Sequence, residues 1–284
     1  MNFAYMDAHA DTITLAMEKN IGLHKNNLHI DFARLEKFDA PVVQNFAICV
    51  NSFAQANAAI DFFESEINSQ KKIKLARSFE EIKKNAHEKK SSALLSLEGG
   101  EPLEGKIENL FRFYERGVRI LTLTWNRENE LGFGVAADSA RGLKPFGIEI
   151  VKKMNELGMI IDVSHLNETG FFDVKLHSTK PFIASHSNAF SIFPHRRNLS
   201  DKQIETIVKN GGVIGINFFP QFLEPNANFE SILKHIEHFI SLGAEKNIVL
   251  GTDFDGIPAL PEGISDVTSL KNFRIFLAQK LSEN

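Results

Sequence analysis

Acidic and histidine side chains that could bind a metal ion cluster at the start of the chain, in Asp7-Ala8-His9-Ala10-Asp11. If residues 3–8 form a strand, its period of two sends Asp7, His9 and Asp11 to the same side. Imidazole and carboxylate groups on one side could coordinate a divalent ion. Taken alone, His-x-Asp is more often a polar strand end in which Asp11 caps a short helix over 12–18. The motif therefore needs partners elsewhere in the chain.

Further residues of the same kinds follow other short apolar runs. They are Glu98 after the run 93–97, His165 after 159–164, His186 after 181–185 and Asp253 after 247–252. Each has a structural alternative, since Glu98 could cap a helix, His165 could lie in the core and Asp253 could hold a turn. Three histidines and three carboxylates at strand ends together indicate a metal site.

The elements that must position these residues are short apolar runs alternating with helical segments. The eight runs lie near 3–8, 43–51, 93–97, 118–124, 159–164, 181–185, 212–218 and 247–252. Helical periodicity marks 107–116, 146–157, 201–209 and 229–242, which end at Gly117, Gly158, Gly211 and Gly243. Eight β/α units predict a parallel (β/α)8 TIM-type barrel that forms one domain over residues 1–284.

A doubly wound open sheet is the structural alternative to the barrel. The stretch Gly99-Gly100-Glu101-Pro102 fits neither a phosphate loop nor a dinucleotide fingerprint, which favours the barrel. In a barrel the C-terminal ends of the strands form the active site, so the residues after each run should meet at one rim.

The charge balance excludes several classes of partner. A net charge of -4 and a pI near 6.2 give no global reason to bind nucleic acid or an anionic membrane. Two basic stretches, 71–74 and 83–90, lie in a region that also carries acidic residues and are interpreted as solvated helix faces.

Cysteine content and hydropathy indicate a compartment. Cys49 is the single cysteine, so neither an intramolecular disulfide nor a cysteine zinc site can form. The sequence shows no secretion signal before the first predicted strand and no apolar run long enough for a membrane span. The expected location is cytoplasmic.

Arg197 lies in a segment that closely follows the sixth predicted strand. An arginine beside a metal site can bind a carboxylate through paired hydrogen bonds. Position alone leaves this role open against a solvated surface charge.

Seven stretches also resemble the membrane (renal) dipeptidase family of metallopeptidases, within the amidohydrolase-like barrels, and they occur in the family's order. They are Asp7-Ala8-His9-Ala10-Asp11, Ser96-Leu97-Glu98-Gly99, Leu121-Thr122-Leu123-Thr124, Ile161-Asp162-Val163-Ser164-His165, Ser185-His186-Ser187-Asn188, Arg196-Arg197-Asn198 and Asp253-Phe254-Asp255-Gly256.

The resemblance implies a two-metal site that hydrolyses dipeptides through a metal-bridged hydroxide, with L-L dipeptides as substrates and the hydrolysis of L-D dipeptides left open. The ligands so implied are His9, Asp11 and Glu98 for one ion, and Glu98, His165 and His186 for the other. Asp253 matches the residue that transfers protons, and Arg197 matches the residue that binds the terminal carboxylate. Imidazole and carboxylate ligands suit two Zn²⁺ ions, although manganese, cobalt or iron also accept such a set.

Two positions depart from the mammalian pattern. Trp125 stands where the mammalian relatives have an oxyanion-stabilising histidine, and Trp125 and Asn126 are expected to bind substrate. Loss of one such donor typically costs about 10²- to 10³-fold in rate. The sequence also stops at Asn284, where relatives usually continue with another helix, so the last barrel helix is expected to be poorly covered.

Two other functions remain open at this point. One is a different amidohydrolase reaction, such as deacylation of an N-acyl-amino acid. The other is a non-catalytic homologue that binds metal or dipeptide. Barrels of this kind often form homodimers, but the sequence locates no interface.

Overall fold

A parallel sheet curled into a barrel forms the centre of the protein, seen in a computed structural model that describes residues 3–282. The termini of the predicted domain, 1–2 and 283–284, lie outside the described residues. The strands are β1 (Met6–Asp7), β2 (Val43–Ile48), β3 (Ile73–Leu75), β4 (Ser91–Glu98), β5 (Val118–Thr122), β6 (Ile160–Asp162), β7 (Ile214–Ile216) and β8 (Ile248–Leu250). Seven of them follow the order β6-β5-β4-β2-β1-β8-β7. The predicted TIM-type architecture is confirmed.

The sixth predicted strand closes the ring between β6 and β7 without forming a regular strand. Segment 181–185 makes two parallel bridges, Asp162 with Ile183 and Ala184 with Ile214. The amide of Ile183 donates to the Ile161 carbonyl, and the amide of Ala184 donates to the Val213 carbonyl. Pro181 has no N–H to extend this ladder, which shortens the strand.

The prediction of a helix face over 71–74 is wrong, because residues 73 and 74 belong to β3 and residues 71 and 72 lie in no helix. Ile73 is buried, and Ile73–Leu75 pairs in parallel with the first half of β4, while β5 pairs with the second half. Only Ile73 is buried in β3, so the segment is defined by its pairing with β4 rather than by a period in its sequence. The second basic stretch behaves as predicted, since its lysines lie on or just after the helix Phe79–His87.

Helices surround the sheet and end close to the predicted positions. They are α1 (Thr12–Glu18), α2 (Phe32–Leu35), α3 (Phe53–Asn68), α4 (Phe79–His87), α5 (Ile107–Glu115), α6 (Pro145–Leu157), α7 (Glu168–His177), α8 (Asp201–Lys209), α9 (Pro220–Leu223), α10 (Phe229–Ser241) and α11 (Leu270–Ser282). Gly117, Gly158, Gly211 and Gly243 all have φ between 72° and 96°, which favours glycine after a helix. Within residues 3–282, no helix combines the length and the apolar character needed to span a membrane.

The first and last strands are joined by a buried carboxylate. Asp7 accepts hydrogen bonds from the Thr252 amide at 3.0 Å and from the Thr252 hydroxyl at 2.7 Å. The side-chain amide of Gln44, in β2, also donates to the Asp7 carboxylate, at 3.0 Å. Asp7 therefore holds β1 between its neighbours rather than facing the predicted metal ligands.

The outer face of β8 is only partly covered by helices. Its three residues are only half-buried, and a largely apolar cavity of about 930 Å³ lies between β8, α10 and α11. None of the predicted site residues lines this cavity.

Candidate metal centre and active site

The five predicted metal ligands lie together at the C-terminal rim of the barrel, and all are buried. They are His9 and Asp11 after β1, Glu98 at the end of β4, His165 after β6 and His186 after the bridging segment 181–185. Asp11 stands at the N-cap of α1 but makes no side-chain capping bond there. Its carboxylate is therefore available to the site.

Glu98 is central because its two oxygens face different imidazoles. Oε2 lies 3.5 Å from His9 Nε2, and Asp11 Oδ2 lies 3.3 Å from the same nitrogen. Oε1 lies 2.9 Å from His165 Nε2 and 3.7 Å from His186 Nε2. The carboxylate thus stands between two groups of donor atoms.

The donor set fits divalent metal ions. Both ring nitrogens of His9 are buried and make no hydrogen bond to any residue within 3–282. The Nε2 atoms of His165 and His186 approach to 2.7 Å, and both lie close to Glu98. Nitrogen and oxygen donors without thiolate are the ligands that zinc accepts in hydrolase sites. These residues therefore suit a metal centre.

The pKa values of these side chains reflect crowding of buried charges. Burial, followed by the Glu98 carboxylate, raises the pKa of Asp11 to about 8. Burial alone would lower the pKa of His9, but the carboxylates of Glu98 and Asp11 outweigh it and raise that pKa well above 6.5. Burial alone would raise the pKa of Glu98, but the neighbouring His9 and His165 outweigh it and hold that pKa well below the usual range. Protonation of His9 and Asp11 therefore competes with the binding of a cation at this site.

Metal affinity should therefore depend on pH. An incoming cation must displace protons from His9 and Asp11, so affinity should fall as pH falls below about 8, by about tenfold per pH unit for each proton displaced. Competition between the protein and a chelator for Zn²⁺, measured between about pH 6.5 and 8.5, tests this. Equal affinity across that interval, after correction for the chelator's own protonation, would contradict it.

Asp253 follows β8 in a left-handed conformation, with φ of 60°. One of its carboxylate oxygens lies within 4.8 Å of donor atoms of His9 and Asp11, and Asn217 donates to its Oδ2 at 2.9 Å. Our sequence reasoning missed Asn217. It directly follows β7, so the rule that strand ends carry the site would have found it.

Gly256 allows Asp11 and Asp253 to approach each other. A Cβ atom at this position would lie 2.1 Å from Asp11 Oδ2 and 2.7 Å from Asp253 Oδ1. Such contacts are impossible for a larger residue without moving a carboxylate. Packing against the two carboxylates thus explains why a glycine ends the stretch Asp253-Phe254-Asp255-Gly256, which the sequence alone did not show.

A cavity of about 340 Å³ opens onto this centre. It is lined by Glu98, Asp11, His165 and Asp253, and on its other sides by residues that include Trp125, Asn126, Arg197, Cys49 and Phe222. Trp125 is 44% exposed, and its ring stacks on His165 with centroids 6.1 Å apart. The Oδ1 of Asn126 lies 2.9 Å from His165 Nδ1, so Asn126 orients a predicted ligand as well as lining the cavity.

Arg197 is buried at this cavity rather than solvated. One guanidinium nitrogen donates to the His186 carbonyl oxygen at 3.2 Å, while Nε has no partner among residues 3–282. Burial lowers its pKa to about 10, so the group stays charged near neutral pH. A buried cation with an unused donor suits recognition of an anionic ligand.

Comparison with known proteins places this chain among dipeptidases. A family model described as membrane dipeptidase matches residues 1–284. An uncharacterized protein of the pqqA 5′ region of Klebsiella pneumoniae is 37% identical over 215 residues, covering 72% of this chain and 79% of that protein. An uncharacterized dipeptidase of Schizosaccharomyces pombe is 35% identical over 66% of this chain, and the match spans 48% of that longer protein.

Solved structures agree over nearly the whole length. A metallopeptidase from Rhodobacter sphaeroides, liganded with a phosphinate mimic of the dipeptide L-Ala-D-Ala, has a TM-score of 0.89 at 26% identity, covering 99% of this chain and 93% of that one. A second metallopeptidase, dipeptidase AC, has a TM-score of 0.90 at 27% identity, with the same coverage of both chains. The chain belongs to the membrane dipeptidase family, whose members are metal-dependent dipeptidases.

Proposed function

We propose that the protein hydrolyses free dipeptides with two divalent ions, of which zinc best suits the donors. His9, Asp11 and Glu98 would hold one ion, and Glu98, His165 and His186 the other. The observation that carries this proposal is the position of Glu98, whose two oxygens face separate imidazole groups. A bridging carboxylate needs this arrangement.

The ions, when bound, would polarise the peptide carbonyl and lower the pKa of a water molecule. The chain's own residues supply the other parts of the reaction. Asp253, held by Asn217, would accept the proton of the nucleophile and return it to the leaving amine. Arg197 would bind the C-terminal carboxylate and so fix which peptide bond lies at the centre.

The size and charge of the cavity support a dipeptide. Its volume of about 340 Å³ is at the small end of the roughly 300–1,000 Å³ usual for small-molecule sites. Besides Arg197 it carries the acidic residues Glu18, Asp253 and Asp255, which suit a substrate with a free amino group. The relative that binds a mimic of L-Ala-D-Ala supports including dipeptides whose second residue has D configuration.

The test is amine release from a panel of L-L and L-D dipeptides by zinc-loaded protein, with N-acetylated dipeptides and N-acyl-amino acids as comparisons. Hydrolysis of free dipeptides that stops on chelation, with N-acetylation lowering the rate, would support the proposal. Faster hydrolysis of the N-acyl substrates would identify a deacylase instead. Dipeptide binding without any hydrolysis would identify a binding protein.

We also propose a cytoplasmic location and a homodimeric assembly. The single cysteine, Cys49, is free, and this supports a reducing, cytoplasmic compartment. A homodimer is proposed from the resemblance alone, and sedimentation of the zinc-loaded protein tests it.

A further inference from the structure

Asp162 lies at the end of β6, behind His186, and is fully buried. Its Oδ1 accepts from two backbone amides, those of Ser164 at 3.0 Å and Ser185 at 2.8 Å. Its Oδ2 accepts from two hydroxyls, those of Thr122 at 2.6 Å and Ser185 at 2.5 Å. Four donors thus converge on a carboxylate that lines neither the substrate cavity nor the surface.

The hydrogen bonds fix where the proton of each group points. An ionised carboxylate can only accept, so the hydroxyl proton of Ser185 is directed at Asp162. The Ser185 Oγ also lies 2.8 Å from His186 Nδ1, and with its single proton already used it can only accept there. The proton on His186 must therefore be on Nδ1, which leaves a lone pair on Nε2.

We propose that Asp162 and Ser185 are positioning residues that set the tautomer of His186. The relay runs from Asp162 through the Ser185 hydroxyl to His186 Nδ1, and it presents Nε2 to the centre as a metal ligand. This inference rests on the proposed function only in identifying His186 as a ligand. Ligating histidines elsewhere commonly depend on such an outer partner, and its loss lowers metal affinity by about 10- to 100-fold.

The variant Asp162→Asn should reverse the relay with little change of shape. The amides of Ser164 and Ser185 would keep the side-chain oxygen at the Oδ1 position, so the new NH2 group would occupy the Oδ2 position. It would donate to Ser185 Oγ, whose proton would turn toward His186 Nδ1. His186 would then carry its own proton on Nε2, and a metal ion could bind there only after that proton has moved.

Two further variants separate this effect from simple loss of structure. Ser185→Ala removes the relay but leaves His186 free to adopt either tautomer. Its loss of Zn²⁺ affinity should therefore be smaller than that of Asp162→Asn. Thr122→Val removes a hydroxyl from the same Oδ2 of Asp162 without touching the relay, and it serves as the matched control. The loss of Zn²⁺ affinity should be largest in Asp162→Asn, smaller in Ser185→Ala and smallest in Thr122→Val.

Two measurements on the full-length protein test the proposal. Titration with Zn²⁺ against a competing chelator should show an affinity loss of about 10- to 100-fold or more for one ion in Asp162→Asn, and nearly unchanged affinity in Thr122→Val. Nitrogen NMR of the histidine rings in the metal-free proteins should show the His186 proton on Nδ1 in the wild type and on Nε2 in Asp162→Asn. Circular dichroism establishes that each variant is folded.

The outcomes distinguish this inference from the proposed function. A wild-type tautomer and wild-type zinc affinity in folded Asp162→Asn would overturn it, and so would equal defects in Asp162→Asn and Thr122→Val. If Asp162→Asn does not fold, an Nε2 proton on His186 in the wild type still refutes the relay, and an Nδ1 proton that becomes mixed in Ser185→Ala supports it. Failure of wild-type protein to hydrolyse dipeptides, with the tautomers as predicted, would refute the function and leave the relay intact.

Discussion

Replacing Glu98 with glutamine is expected to remove most of the bound metal and to lower kcat/KM for a free dipeptide by more than about 10³-fold. One oxygen of Glu98 faces His9 and the other faces His165. In either orientation, the glutamine side chain would replace one of these oxygens with an NH2 group, which cannot bind a metal ion. Loss of one electrostatic contact at a reaction centre already costs about 10²- to 10³-fold, and this change weakens two ion sites at once.

Metal content by mass spectrometry and steady-state hydrolysis measure this effect. Glu130→Gln is the matched control, because Glu130 is an exposed carboxylate in the loop after β5 that lies outside the site. His186→Ala should remove bound metal and activity as well, through the site that it shares with His165. Wild-type metal content and activity in both Glu98→Gln and His186→Ala would refute the assignment of the centre.

Replacing Arg197 with methionine should lower kcat/KM for a free dipeptide by roughly 30- to 3,000-fold. Truncating one partner of a buried charge pair costs about 2–5 kcal/mol, which gives this range. Arg197→Lys should recover only part of the loss, since an ammonium group cannot form the paired contacts of guanidinium.

A C-terminally amidated dipeptide shows whether the lost contact is the one to the carboxylate. The wild type should hydrolyse this substrate slowly, and Arg197→Met should slow it little further. The neighbouring Arg196 is exposed, so Arg196→Met should leave both substrates unaffected. An equal loss on the free and the amidated dipeptide in Arg197→Met would contradict a role in binding the carboxylate.

The residues of the candidate site could be predicted from the sequence because a barrel places the end of every strand at one rim. His9, Glu98, His165 and His186 needed only the positions of the apolar runs, not the details of packing. The glycines that end four helices were equally accessible, since a left-handed residue after a helix has a local cause.

The features that were missed depend on partners far away in the chain. Ile73–Leu75 is too short and too basic to show a strand period, and its pairing with β4 determines its structure. Asn126 was expected to bind substrate, and its contact with His165 became visible only when the two loops were placed together. Asp162 is the last residue of a short apolar strand, and the sequence does not show which hydroxyls and amides will surround its carboxylate.

The joint between Asp7 and Thr252 has a consequence for how the protein is made. The two residues are 245 positions apart, and the backbone of His9 and Asp11 is held by Asp253 and Phe254 just beyond this joint. On the ribosome, the first two residues of the candidate site, His9 and Asp11, therefore emerge long before the strand that fixes them. Pairing across such a separation is slow and comes late in folding. The proposed metal centre can be completed only after β8 has been synthesised, and until then β1 is an open edge of the sheet.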